Sequence, residues 1–291
     1  MQIKPTDIQL KEWADTHVPP QDFFFLDEVV LEKLKGHLLA VKLYTRKEFF
    51  SNSDYNTIQL NNSYMYWALE KGVSSVIVAD PLWLNSLPDQ IKAKLLECQL
   101  HNRKGLIFPE EMFPSINFIP EEHIFHVQNK RYVVIQKALW SSFGEEVRKD
   151  VMMNYAQLWD AWQADPLPSN SPTHLKNYAN RFSDQHGANC LAAAIYSATG
   201  DETVIHTWMK QDQFAEALNK SEYKLTHDGQ LAEDIVTWVD EQDVIQHAAF
   251  YLGDSLYFNK NGQTCFNPWK IVRDDELERE WGAFNRRVYR R

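Results

Sequence analysis

The sequence predicts an α+β chain in two parts, on three observations. Residues 190–199 are a run of small and apolar helix formers between a good N-cap, Asn189, and a plausible stop, Thr199-Gly200. Residues 234–239, 244–252 and 255–259 are rich in β-branched and aromatic side chains and are separated by acidic or glycine-containing turns, the pattern of strands and a hairpin. Ahead of both lies Asp165-Pro-Leu-Pro-Ser-Asn-Ser-Pro172, with three prolines and no periodicity, which reads as a linker. The expected parts are residues 1–165, a mixed α/β domain of unreadable function, and residues 173–291, in which a helix packs on an antiparallel sheet.

Taken in order, residues 7–15 read as a short helix ended by the Val18-Pro19-Pro20 break. Residues 27–39 carry Val30, Leu31, Leu34 and Leu38 at helical spacing, and residues 39–44 read as a strand. Residues 61–70 form a helical candidate with Tyr64, Tyr66 and Trp67. Residues 73–79, β-branched and bounded by Gly72 and Asp80-Pro81, form a strand. An amphipathic helix over 89–99 contains Cys98 as a packing residue. Strands follow over 105–108 and 131–136, with a proline-punctuated stretch between them, and a long helix is expected over 145–164. The aromatic residues Phe23 to Phe25, Tyr64 and Trp67 read as core. In the second part, residues 201–210 and 212–220 read as short helices, and the tail Arg286-Arg287-Val288-Tyr289-Arg290-Arg291 reads as solvated.

Composition narrows the function classes. At 291 residues, 44% hydrophobic and 24% charged, the chain can bury two cores. A formal net charge of −10 argues against nucleic acid as a partner, because its binders carry a basic face. No apolar window reaches the roughly 18 residues of a membrane span, and the N-terminus lacks the apolar core of a signal peptide, so the expected location is the cytoplasm. Three widely spaced cysteines make neither a disulfide framework nor a zinc pattern, and no cofactor or metal is expected.

The chemistry is expected at Cys190. An N-cap at Asn189 puts the thiol in the first turn of a helix, where unpaired N–H groups and the positive dipole end favour a thiolate. His247 and Asn259 lie on the two arms of the hairpin, twelve residues apart. A two-residue loop at Gly253-Asp254 would turn them to opposite faces. A three-residue loop, or a bulge, pairs Ala249 with Asn259 and sets His247 diagonally on the same face. The three residues then make a nucleophile, a base and a group that orients the base.

These residues resemble the C-terminal half of the NlpC-type cysteine peptidases, a branch of the papain-like fold. The likeness rests on Asp234-Ile-Val-Thr-Trp, on His247-Ala-Ala-Phe-Tyr-Leu-Gly-Asp254 and on Asn259, and covers roughly residues 173–272. It implies Cys190 as nucleophile, His247 as base and Asn259 as the third residue. It also implies Tyr178, about a dozen residues before the nucleophile, as a site-lining hydroxyl. The sequence departs from the family at Asn189-Cys190-Leu191-Ala192, where the family has Asp-Cys-Ser-Gly, and at Glu233, where a glycine is usual.

The resulting expectation is hydrolysis of an amide, in a peptide or muropeptide-like substrate, by acyl transfer through Cys190. The oxyanion would be held at the helix N-terminus, with Tyr178 as second donor and Asn189 beside it. Two other readings remain open: an acyltransferase or thioesterase on the same cysteine–histidine site, and an inactive peptidase-like scaffold. His206 reads as a packing histidine, and His186 and His227 as loop residues. Cys265, away from any helix start, is the weaker nucleophile. Oligomeric state is not legible.

Overall fold

A computed structural model describes residues 1–101 and 106–291. Its contacts divide the chain into two compact units, Asp7–Tyr155 and Met1–Thr6 with Ala156–Arg291. The division precedes the proline-rich stretch instead of falling within it. Trp162 is the reason: its buried indole donates to Phe266 O at 3.2 Å, and its carbonyl accepts from Ile3 N at 2.8 Å. Asp165 N donates to Ile271 O at 2.9 Å, so the segment expected as a linker starts pinned to the C-terminal unit.

The N-terminal unit contains helices α1 (Asp7–Thr16), α2 (Glu28–Leu34), α3 (Arg46–Ser51), α4 (Ile58–Tyr64), α5 (Asp89–His101), α6 (Lys137–Ser142) and α7 (Glu145–Ala156, whose last residue falls in the other unit). Its strands are β1 (Asp22–Leu26), β2 (Lys42–Thr45), β3 (Ser75–Ala79), β4 (Leu106–Pro109), β5 (Ile124–Val127) and β6 (Lys130–Ile135). They form two antiparallel sheets, ordered β1-β3-β2 and β4-β6-β5. Phe23 to Phe25 are core, as expected, but they are core as strand β1. Every residue of that strand is buried, which removes the alternation by which a half-exposed strand is read. Gly105 of the expected strand lies outside the described residues, and the helix expected over 145–164 stops at Ala156, where the segment bearing Trp162 begins.

The C-terminal unit contains α8 (Cys190–Thr199), α9 (Gln211–Lys220), β7 (Lys224–Thr226), β8 (Ile235–Val239), β9 (Ile245–Gly253), β10 (Leu256–Asn259), β11 (Lys270–Arg273), α10 (Asp274–Trp281) and β12 (Asn285–Arg290). The strands make one six-stranded sheet, β11-β10-β9-β8-β12-β7, antiparallel throughout. Antiparallel sheets with helices outside them make the chain α+β. Asn189 caps α8 by accepting from Ala192 N at 3.0 Å, and Gly200, at φ 70°, ends it.

The alanines of α8 allow a close approach. Ala192, Ala193 and Ala194 share one apolar cluster with Ala248 and Phe250 of β9. The other face of the sheet buries Val236, Trp238, Ala249, Tyr257 and Val272 under Leu277 of α10. A residue's place along β9 therefore decides which core it joins.

Two sequence expectations change here. Residues 202–207 form turns, not a helix, with Asp201 accepting from the N–H and hydroxyl of Thr203. The basic tail is strand β12, inserted between β8 and β7. Its arginines are paired: Arg290 forks onto Asp234, Arg286 meets Asp274 and Glu278, and Arg287 meets Asp243. The adjacent arginines hid the strand, because the carboxylates that neutralise them lie far away in the sequence or across the sheet.

Asp22, at the start of β1, gives a stability test. It is buried, one carboxylate oxygen accepts from Lys137 N at 2.7 Å, and the other has no partner among the described residues. Burial pushes its pKa up to about 7, against the pull of Lys137. The folded state thus binds the extra proton between about pH 4 and 7, and stability falls as pH rises through that window. Asp22→Asn should stabilise the N-terminal unit by about 1–2 kcal/mol at pH 8, a few degrees in Tm, and much less at pH 4. A Tm lowered at pH 8 would contradict the burial argument.

Candidate active site

The hairpin of β9 and β10 meets the stated geometric requirement. Asp254 and Ser255, both at positive φ, form the turn. The register then shifts, so that Leu256 pairs with Gly253 but Tyr257 pairs with Tyr251 and Phe258 with Phe250. The bulge brings Asn259 level with Ala249 and puts it diagonal to His247. Asn259 Oδ1 lies 2.7 Å from His247 Nε2, and both residues are 1% exposed. His247 is register partner of Trp238, and its ring stacks on Trp281 at 4.4 Å, on the α10 side of the sheet.

The Asn259 oxygen can only accept, so Nε2 carries the ring proton. Nδ1 has no hydrogen-bond partner among the described residues and keeps its lone pair. Burial pushes the pKa of His247 down to about 4, with the Asn259 bond opposing, so the ring is neutral at pH 7.

Cys190 arrives from the other direction. It opens α8, is half-buried, and packs against the cluster on the α8 side of the sheet. The backbone N–H groups of Ala248, Leu191 and Cys190 itself pull the pKa of its thiol down. Strand β10 ends at Asn259, short of Ala248. No hydrogen bond joins the sulfur to the imidazole. Two of the three expected residues are thus joined, and the third, Cys190, packs on the opposite face of the sheet from the His247 ring.

The helix start does not by itself make a thiolate. Burial pushes the Cys190 thiol up, and this exceeds the opposing pull of the three N–H groups and of Lys260. Lys260 is a feature the sequence reading missed. Its ammonium is buried, donates to Thr264 O at 2.9 Å and Asn267 O at 2.5 Å, and lies 5.6 Å from the Trp269 ring. Burial brings its pKa down to about 7, partly offset by Cys265, Asp160 and Cys190. A lysine adjoining an asparagine at a strand end gives no sequence signal of burial, and neither did Trp281.

Both expected oxyanion side chains are engaged elsewhere. The Tyr178 hydroxyl donates to Glu202 at 2.5 Å and lies 3.4 Å from His206 Nε2, while burial and Glu202 raise its pKa to about 12. Asn189 uses its oxygen as the α8 cap and donates its NH2 to Met209 O at 2.8 Å. The donors left for an oxyanion are backbone N–H groups at Cys190. His206 packs against Tyr178 and Trp269, as a packing histidine should, and His227 is exposed. His186 and Cys265, read separately in the sequence, meet: Cys265 Sγ lies 3.3 Å from His186 Nε2.

Comparison with protein-family models, with curated proteins and with solved structures finds no match. The reading of the site rests on its own geometry.

The buried neutral histidines set a pH dependence. His247 and His186 are both pushed down to about 4, below the ordinary 6.5, so the unfolded chain takes up protons that the folded unit refuses. The histidines' contribution to stability is therefore complete above about pH 6.5 and is lost as pH falls toward 4. His247 accounts for about 3 kcal/mol of that loss. Urea midpoints of the C-terminal unit should drop across this range, and His186→Gln should flatten the slope. A slope unchanged in that variant would exclude His186 as a contributor.

Proposed function

We propose that the chain is a cysteine-dependent hydrolase acting by acyl transfer, with Cys190 as nucleophile, His247 as base and Asn259 as the residue that orients it. The observation that carries this is the 2.7 Å His247–Asn259 bond, which commits Nε2 and leaves a buried, unpartnered Nδ1. A general base needs one nitrogen fixed by a partner and the other with a free lone pair. The Ala248 N–H, which pulls the Cys190 thiol pKa down, belongs to the peptide that follows His247.

In this mechanism the resting pair is neutral thiol and neutral imidazole, as the two pKa shifts require. Nδ1 takes the thiol proton as the sulfur attacks an amide carbonyl, giving a tetrahedral oxyanion next to the first-turn N–H groups of α8. The imidazolium returns the proton to the leaving amine. Water then enters, loses a proton to Nδ1, and frees the acid and the thiol. The resemblance to NlpC-type peptidases supports a peptide or muropeptide-like amide as substrate and a papain-like arrangement of α8 and the sheet. An acyl ester or thioester would use the same sequence of steps.

A second reading, an inactive scaffold, is favoured by the missing sulfur–imidazole hydrogen bond and the raised thiol. Acylation with p-nitrophenyl acetate at pH 7.5 separates the two. The hydrolase reading expects a burst of nitrophenolate and a mass increase of one acetyl on the peptide containing Cys190, both absent from Cys190→Ala and at least about 100-fold slower in His247→Ala, in line with the usual size of general-base effects. Acetylation of Cys190 no faster in the native chain than in the urea-unfolded chain would leave the scaffold.

A further inference from the structure

The unit holds a buried polar chain that the mechanism above does not use. Asn259 donates its NH2 to Asn261 Oδ1 at 2.7 Å, and Asn261 donates its own NH2 to Asp160 Oδ1 at 3.1 Å. Lys270 Nζ donates to the same Asp160 oxygen at 2.9 Å, to Ala161 O at 2.8 Å and to Glu276 at 2.8 Å. Asp160 and Lys270 are buried. From the carboxylate to the ring, the order is Asp160, Asn261, Asn259, His247.

We infer that Asp160 sets the tautomer of His247 through this directed chain and is a positioning residue for the proposed reaction. The catalytic part of the inference rests on that reaction; the tautomer part does not.

Polarity sets the direction of the chain. A primary amide has a donor end and an acceptor end and can be turned over at little cost when its neighbours are also amides. A row of two asparagines and an imidazole could therefore run in either direction. The carboxylate removes the choice. Its Oδ1 receives both Lys270 and Asn261, so it accepts there whatever the protonation of the other oxygen. The NH2 of Asn261 must face it, leaving Oδ1 of Asn261 to face Asn259. The NH2 of Asn259 must then face Asn261, which leaves Oδ1 of Asn259 against the ring. The ring must answer with Nε2–H, and its lone pair stays on Nδ1. With the direction reversed, Nε2 would be the acceptor and Nδ1 would carry the proton, useless as a base.

Other charges face Asp160. Lys270 and Glu276 bond within the cluster, while Glu280, Lys260 and, through Glu280, Arg279 act at longer range. Burial raises the Asp160 pKa and Lys270 holds it down. None of these is placed to turn the two amides over.

The test is a two-bond 1H–15N correlation spectrum of the full-length chain with 15N-labelled histidine, at pH 7. Wild type should show His247 as the neutral Nε2–H form; an Nδ1–H form there overturns the inference outright, without any variant. In Asp160→Asn the end of the chain can donate as well as accept, and an Nδ1–H population should appear at His247. Asn261→Leu cuts the chain but spares the Lys270–Asp160 pair, and should act the same way if Asp160→Asn does not fold. Folded variants that keep a pure Nε2–H signal sink the proposal. For turnover, kcat should fall about 10–100-fold with KM unchanged, the usual size of an outer-layer effect. A tautomer shift in a protein with no acyl-transfer activity would keep the polar chain and reject the hydrolase.

Discussion

The C-terminal unit depends on how closely α8 can lie on β9. Three successive alanines against Ala248 make that approach possible, and the approach delivers the first turn of α8 to the peptide after His247. A larger side chain at Ala193 or Ala248 would force helix and sheet apart, because packed interiors have no spare volume. The whole placement of Cys190 thus follows from small residues whose individual contribution to burial is slight.

The other half of the site depends on an irregularity. Without the register shift between β9 and β10, Asn259 would turn to the α8 face and His247 would have no partner. With it, the pair forms and the second core closes over it through Trp281 and Leu277. The two cores lie on opposite faces of one sheet, with Cys190 packed against one and the His247 ring against Trp281 of the other. Burial has electrostatic consequences in both cores. It keeps His247 and the Cys190 thiol neutral, and it leaves Lys260 near pH 7 in its titration.

The buried polar chain behind Asn259 fits the same picture. An amide next to an imidazole fixes geometry but not direction, and a carboxylate at the far end supplies direction. The cluster of Asp160, Lys270 and Glu276 is costly to bury unless every member is paired, and the shared Lys270 ammonium meets that need. Its elements are far apart in sequence, which is why it gave no local signal.

Local chemistry carried the features the sequence by itself determined: Asn189 and Gly200 fix the limits of α8, the β-branched runs fix β8 and β9, and the hairpin required a bulge for His247 and Asn259 to meet. The antiparallel α+β class followed from the same short-range patterns. Tertiary structure decided the rest, because each remaining feature is a relation between distant residues. Trp162 moved the boundary by packing under Phe266, β12 became a strand by finding carboxylates for its arginines, and Tyr178 and Asn189 were drawn to Glu202 and Met209. Burial, which no short window of sequence reports, set the protonation of the histidine, the cysteine and the lysine around which the site is built.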